Sequence, residues 1–164
     1  MSPKSLEENR SRTVSELKTS KYIITDVKAD KLFPGEQSGM GKKPTSGPVT
    51  PTHVMWLDGD VIPGAFYSES VWIWPDCASE EPAAEEHTHD FTEAITFFGT
   101  DFENPRDLCG EVELWLDGEK HVMTQSFLAY IPAGMKHCPL IVRKVERPIF
   151  HFTVGLGADY VRET

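Results

Sequence analysis

The sequence predicts an all-β fold. Three features carry this expectation: short runs rich in β-branched and aromatic residues recur along the chain, turn residues separate them, and hardly any segment has a helical apolar period. Short strands at this spacing build a sandwich or a barrel.

Residues 1–52 are expected to form an irregular N-terminal arm, and residues 53–164 the β-barrel. Up to about Lys21 the arm is polar and charged, with one short helix predicted around Val14–Lys18. Tyr22-Ile-Ile-Thr-Asp-Val27 reads as a strand that packs on the barrel. From Phe33 to Thr52 the chain is crowded with Gly, Pro, Ser and Lys, which is loop composition. Gly39-Met-Gly-Lys-Lys43 in this loop is not a phosphate loop. Glu36 stands where the leading glycine belongs, and no Ser or Thr follows the first lysine.

The barrel strands are predicted at His53–Leu57, Ala65–Trp74, Phe91–Phe98, Glu111–Leu116, His121–Met123, Phe127–Ile131, Leu140–Val145 and Ile149–Val154. Asp58-Gly59, Asn104-Pro105, Asp117-Gly118, Pro132-Ala-Gly134 and Arg147-Pro148 supply the turns between them.

Composition narrows the function. With 164 residues the chain suits one domain that can bury a core without covalent staples. The net charge of −10 argues against a nucleic-acid partner, because a phosphate-binding surface needs clustered Lys and Arg. No apolar run approaches the length of a membrane span, and the N-terminal residues lack the apolar core of a signal peptide. Cys77, Cys109 and Cys138 are scattered, odd in number and without a CxxC pair, so they read as reduced thiols. A cytoplasmic protein that meets small molecules is the expectation.

The chemistry concentrates in His87-Thr-His-Asp-Phe-Thr-Glu93. If this stretch is extended, residues 87, 89 and 93 point to one side, so two imidazoles and a carboxylate converge. Ile131-Pro-Ala-Gly-Met-Lys-His137 then delivers a third imidazole from a tight turn. Three neutral nitrogens and one anionic oxygen suit Mn, Fe, Co, Ni, Cu or Zn and are too rich in nitrogen for Mg or Ca. One divalent transition metal per chain is expected, held by His87, His89, Glu93 and His137. Four such ligands in an octahedral arrangement leave two adjacent positions open, as in a catalytic site.

These residues resemble the cupin superfamily. Its first motif has the form G-x5-HxH-x3/4-E-x6-G, matched here by His87, His89 and Glu93. Its second has the form G-x5-PxG-x2-H-x3-N, matched by Pro132, Gly134 and His137. Gly110–Glu119 resembles the strand and turn found between the motifs, and the likeness runs from about Ala65 to Val154. The departures fall on turns and edges: Glu81, Ser126 and Ile141 replace a glycine, a glycine and the closing Asn, and Gly99 comes one residue early. The resemblance implies a double-stranded β-helix, or jelly roll, with the metal at one end of the barrel, and a homodimer.

Around the metal the sequence offers fewer signals. His151, in the last strand, is the candidate proton shuttle, because histidine titrates near neutrality; the competing reading is a hydrogen-bonded core histidine. Phe91, Ile95 and Phe97 share the parity of the ligands and are expected to wall a substrate chamber. Phe66, Tyr67, Trp72, Trp74, Phe98, Tyr130, Phe150 and Phe152 are read with them as an aromatic lining. His53 and His121 sit beside turns and are expected to face solvent. Asp90 has the opposite parity to the ligands. Glu111 and Glu113 are expected to be solvated, with Val112, Leu114 and Leu116 in the core, and Cys138 to point away from the metal. Glu80, Glu81, Glu85 and Glu86 read as a solvated acidic loop.

The functional expectation is a metal-dependent enzyme acting on a small, apolar or aromatic oxygenated substrate. Dioxygenase chemistry with Fe is favoured over non-oxidative isomerase or lyase chemistry. A ligand-binding or sensing role is the alternative of another class. The strand at Tyr22–Val27 is expected to extend the sheet of a second copy.

Overall fold

The computed structural model describes residues 18–25, 27 and 51–157. The fold is all-β. Eight strands form it: β1 (Thr52–Leu57), β2 (Tyr67–Ile73), β3 (Glu93–Phe98), β4 (Asp107–Leu116), β5 (Glu119–Gln125), β6 (Phe127–Ile131), β7 (His137–Val145) and β8 (Ile149–Gly155). They make two antiparallel sheets, β1-β2-β8-β3-β6 and β5-β4-β7, packed as a jelly roll.

Each strand forms where β-branched and aromatic residues alternate, and the turns fall where the sequence placed them. β4 and β5 are joined by Asp117 and Gly118 alone, with φ of 48° and 80°. Two left-handed residues in a two-residue loop match the twist of the flanking strands. The core lies between the sheets. Val71, Ile73, Ile95, Phe97, Ile131 and Ile149 from the larger sheet meet Leu108, Val112, Leu114, Leu140, Val142 and Val145 from the smaller. A second, small cluster joins Val27 to Trp56 and Tyr67.

Several expectations change. Tyr22–Val27 does not form a strand among the described residues. Ser20–Tyr22 make one 3-10 turn, in which the Tyr22 and Ile23 N–H groups donate to the Thr19 and Ser20 carbonyls. Those local bonds occupy backbone groups that a ladder would use, and Tyr22 and Ile23 stay exposed. Among the described residues, Val27 packs with Trp56 and Tyr67 and ties this part of the arm to the barrel. The helix at Val14–Lys18 and the loop at Phe33–Thr52 lie outside the described residues except at Lys18, Pro51 and Thr52, and Gly39–Lys43 lies wholly outside them.

The aromatic lining is a second correction. Trp72 packs against Trp74 and Phe150 on the outer face of the larger sheet, Phe98 and Tyr130 are exposed, and Tyr67 belongs to the small cluster. Phe152, the strand neighbour of inward His151 and Thr153, also faces out. The interior is mostly aliphatic.

Glu113 is a third. Val112 and Leu114 are core as expected, but Glu113 is buried too. Arg143 and Lys120 pair with its carboxylate at 3.0 and 3.1 Å, and the Trp115 indole N–H donates to it at 2.7 Å. Three donors replace the water that a surface carboxylate would keep.

Candidate metal centre

His87, His89, Glu93 and His137 are all buried and lie together. Two backbone devices bring this about. His87 and His137 form an isolated antiparallel bridge, each N–H donating to the other's carbonyl at 3.0 and 3.1 Å. The Gly134 N–H, in the Pro132-Ala-Gly turn, donates to the His89 carbonyl at 2.7 Å. Gly134 has φ of 77°, a left-handed conformation that side chains disfavour, so the turn requires glycine. The two sequence motifs are thereby locked to each other.

Side-chain hydrogen bonds fix the tautomers. The Nδ1 of His87 lies 2.6 Å from the Glu85 carbonyl, and the Nδ1 of His137 lies 3.0 Å from the Met135 carbonyl. A carbonyl accepts only, so each Nδ1 carries the proton and each Nε2 presents a lone pair. The Nε2 of His137 stands 3.2 Å from Glu93 Oε2, and the Nε2 of His89 3.4 Å from it. Neither Glu93 Oε2 nor His137 Nε2 makes a hydrogen bond, although both are buried. Burial pushes the Glu93 carboxyl up, and His137 and His89 bring it to about 2 only with protons on the Nε2 atoms that face it; with lone pairs there, a bound cation would take that role. The centre is therefore an anion facing imidazole nitrogens, which costs desolvation unless something positive sits among them.

The donor atoms of His89, Glu93 and His137 all lie within 4.8 Å of one another. His87 shares its group with His137 and Cys138 instead, its ring 4.3 Å from that of His137 and 4.8 Å from that of His89. The nitrogen and oxygen donors, their fixed tautomers and the buried polar atoms without hydrogen bonds fit a divalent transition metal. Cys138 corrects an expectation. It lies among the ligand candidates because its φ of 69° breaks the strand alternation that would turn it away.

A cavity of about 370 Å³ adjoins the cluster, with His87, Glu93 and His137 in its wall. This is the scale of small-molecule sites, roughly 300–1,000 Å³. Val71, Ile73, Ile95, Phe97, Leu140 and Val142 give it apolar sides. Ile95 and Phe97 thus lie where parity placed them, whereas Phe91 does not line the cavity. The parity argument fails because the chain bends at Asp90 and Phe91 before β3 begins at Glu93. Phe91 instead stacks on the His89 imidazole, centroids 4.5 Å apart.

His151 does line the cavity, and its Nδ1 donates to the Thr96 carbonyl at 2.9 Å. His53 is a correction. It is buried in the cavity wall, not solvent-facing, with its Nε2 2.9 Å from Glu69 Oε2. Glu69, which the sequence reading passed over, lies between His53 and His151. Burial pushes its carboxyl up, and the two histidines more than offset this, holding it at about 2. Asp90 and His121 are exposed, as are all four acidic residues of the approach; Glu81 reaches the cavity rim, and Glu80 and Glu86 pair with Arg143 and Lys136.

No family model matches the chain, and no curated protein matches it. Solved structures are similar at low identity. A recombinant oxalate oxidase in complex with glycolate is 15% identical, with a TM-score of 0.48 over 77% of this chain and 61% of its own. A cupin protein from Bacteroides fragilis is 16% identical, with a TM-score of 0.40 over 75% of this chain and 89% of its own. The DMSP lyase DddQ from Ruegeria pomeroyi is 17% identical, with a TM-score of 0.40 over 61% of this chain. The match spans 43% of that lyase, less than half its length. What decides the fold is internal to the chain: two motif segments, one entering β3 and the other β7, meet in an antiparallel jelly roll with their His and Glu side chains turned together.

The fold is that of a jelly roll.

The barrel offers both a buried donor cluster and a chamber beside it. Among its described residues no helix is long and apolar enough to cross a membrane.

Proposed function

We propose that this chain is a cupin and a metal-dependent enzyme acting on a small oxygenated molecule, with dioxygenase-type chemistry. The observation that carries this reading is the buried Glu93 Oε2, set against the His89 and His137 Nε2 atoms at the wall of a small-molecule cavity. His87, His89, Glu93 and His137 would hold one divalent transition metal, Fe in the favoured reading. Such a metal supplies Lewis-acid activation of substrate oxygens and, as Fe, redox chemistry toward dioxygen.

The protein's own groups bind and orient the substrate. Val71, Ile95, Phe97, Leu140 and Val142 exclude water from its apolar part. His151, fixed by its bond to the Thr96 carbonyl, presents Nε2 to the chamber and is the group available to exchange a proton at the end of the substrate away from Glu93. The mostly aliphatic wall removes the reason to favour an aromatic substrate over an apolar one. Lys and Arg are absent from the described wall, which carries Glu69, Glu81 and Glu93, so anionic substrates are disfavoured.

Elemental mass spectrometry on purified protein beside His89→Ala tests the metal. Near-stoichiometric Fe, lost in the variant, is expected, together with oxygen consumption on turnover. Zn with no oxygen uptake would replace the oxidative reading by Lewis-acid chemistry, and a metal content unchanged in His89→Ala would remove the site.

The same reading includes a cytoplasmic homodimer. Cys77, Cys109 and Cys138 are odd in number and form no CxxC pair, the pattern of reduced thiols on which the cytoplasmic reading rests. β6 is an edge of the described sheet and exposes Leu128 and Tyr130, an apolar surface suited to a second copy. Light scattering at micromolar concentration should give twice the 18.4 kDa chain mass; a monomer rejects the dimer.

A further inference from the structure

The metal centre occupies only one end of the cavity. At the other end of the wall, strands β1, β2 and β8 place His53, Glu69 and His151 together. The register explains the grouping. Thr153 of β8 is the direct partner of both Ile95 on β3 and Glu69 on β2, and His151 is the partner of Phe97 and Val71. Glu69 is therefore two strands and two residues away from Glu93. Strand spacing and rise convert that offset to roughly 12 Å between their backbones.

The two oxygens of Glu69 are not equivalent. Oε2 accepts from the His53 Nε2–H at 2.9 Å. Oε1 lies 3.9 Å from His151 Nε2, too far for a hydrogen bond. Because His151 Nδ1 donates to the Thr96 carbonyl, Nε2 carries a proton only when the ring is charged; with the ring neutral, an acceptor faces an acceptor across that gap. The arrangement calls for a donor between them. His53 holds Glu69 in place, the side chain of Glu69 is 14% exposed, and its open side is the cavity. No Lys or Arg among the described wall residues offers the missing donor.

We propose that Glu69 Oε1 and His151 Nε2 bind the hydrogen-bond-donor end of the substrate, an amine or a hydroxyl, while its oxygenated end lies at the metal centre and an apolar chain runs between. This rests on the metal-dependent reading for the oxygenated end only. Glu69 then selects substrates of two-ended polarity and rejects those ending in a carboxylate or a methyl group. Charge-assisted hydrogen bonds of this kind are the strong ones, and losing one in a water-poor chamber leaves Glu69 without its partner.

The test uses Co(II)-reconstituted protein and three probes: hexanohydroxamic acid, its 6-hydroxy derivative and its 6-amino derivative. The hydroxamate chelates metal, and the probes differ only at the far end. Calorimetry should give the 6-amino probe, the 6-hydroxy probe or both about tenfold tighter binding than the unsubstituted one. In Glu69→Gln that ratio should fall below about threefold while all three still displace the visible band of Co(II). Equal affinities in the wild type, with the band displaced, overturn the inference without any variant. Hexylamine on metal-free protein separates the two readings. If Co(II) does not bind, yet hexylamine binds the wild type about tenfold tighter than Glu69→Gln, the metal reading fails and the donor site stands. If Co(II) does not bind and hexylamine does not distinguish the two proteins, both fall.

Discussion

The ring of Phe91 lies flat on the imidazole of His89, centroids 4.5 Å apart and planes 14° from parallel. A Cβ on Gly155 or on Gly157 would come within 2.4 Å of the ring, so these two glycines leave room for it. Phe91 is thus held between the end of β8 and a metal-ligand candidate, and it fixes the plane of that imidazole.

Removing the clamp should loosen His89 without touching a donor atom. Outer-shell partners of metal-binding histidines typically govern about 10–100-fold of affinity. Phe91→Ala is expected to weaken metal binding by about tenfold at the low end of that range, read by competition with a chromophoric chelator. Phe91→Leu, which keeps bulk but not the flat face, should fall between. An unchanged metal affinity in Phe91→Ala would mean that the backbone bond from Gly134 alone orients His89.

Acid sensitivity should depend on Glu69. Its carboxyl titrates at about 2 in the fold against an ordinary 4.5, with burial opposing and the neighbouring His151 and His53 favouring the anion. A lowered folded-state value means that ionisation stabilises the fold above pH 4.5, and this contribution is lost as pH falls toward 2. The difference is on the order of 3 kcal/mol. In metal-free protein the Tm of the wild type should therefore drop more steeply between those limits than that of Glu69→Gln. Parallel curves would show that the two histidines do not hold the anion.

Much of this was legible in the sequence, for physical reasons. The β-branched runs and the Asp117-Gly118 and Pro132-Ala-Gly134 turns are local signals, and the strands and turns appear where they pointed. The convergence of His87, His89 and His137 follows from strand alternation up to Asp90 and from the tight turn before His137, whereas Glu93 lies past the bend and is placed by the start of β3. Phe91, Cys138 and Glu113 were misplaced because alternation is not the whole geometry. A bend, a left-handed residue and a set of neighbouring cations each overrode it. His53 and Glu69 were hidden for a different reason: their pairing joins β1 to β2, and nothing local in either strand marks a buried acid waiting for a histidine.

Core packing offers a prediction independent of the metal. Leu114 is 1% exposed and sits in β4 between β5 and β7, packed into the main cluster. Leu114→Ala should cost about 2–5 kcal/mol by chemical denaturation, the range for buried leucines truncated in a packed core. The folded fraction should keep its metal stoichiometry, because no donor changes. A cost below about 1 kcal/mol would mean that the two sheets collapse onto the void.

Thr153 connects the metal centre to its sheet. Its hydroxyl donates to the Ala94 carbonyl at 2.9 Å and lies 3.3 Å from Glu93 Oε1, the oxygen turned away from the His89 and His137 Nε2 atoms. The hydroxyl has one proton, and the shorter contact takes it, so Glu93 Oε1 meets chiefly an oxygen lone pair until the hydroxyl rotates. Binding of a cation by Oε2 would draw charge from Oε1 and leave the Ala94 bond favoured; loss of that cation would favour rotation toward the carboxylate. Thr153→Val keeps the shape and removes both options. It should lower stability by about 1 kcal/mol in metal-free protein, where the hydroxyl serves the carboxylate, and by less once metal is bound. Chemical denaturation with and without metal reads the difference directly. An equal loss in both states would assign the hydroxyl to the Ala94 carbonyl alone and leave Glu93 held by the histidines.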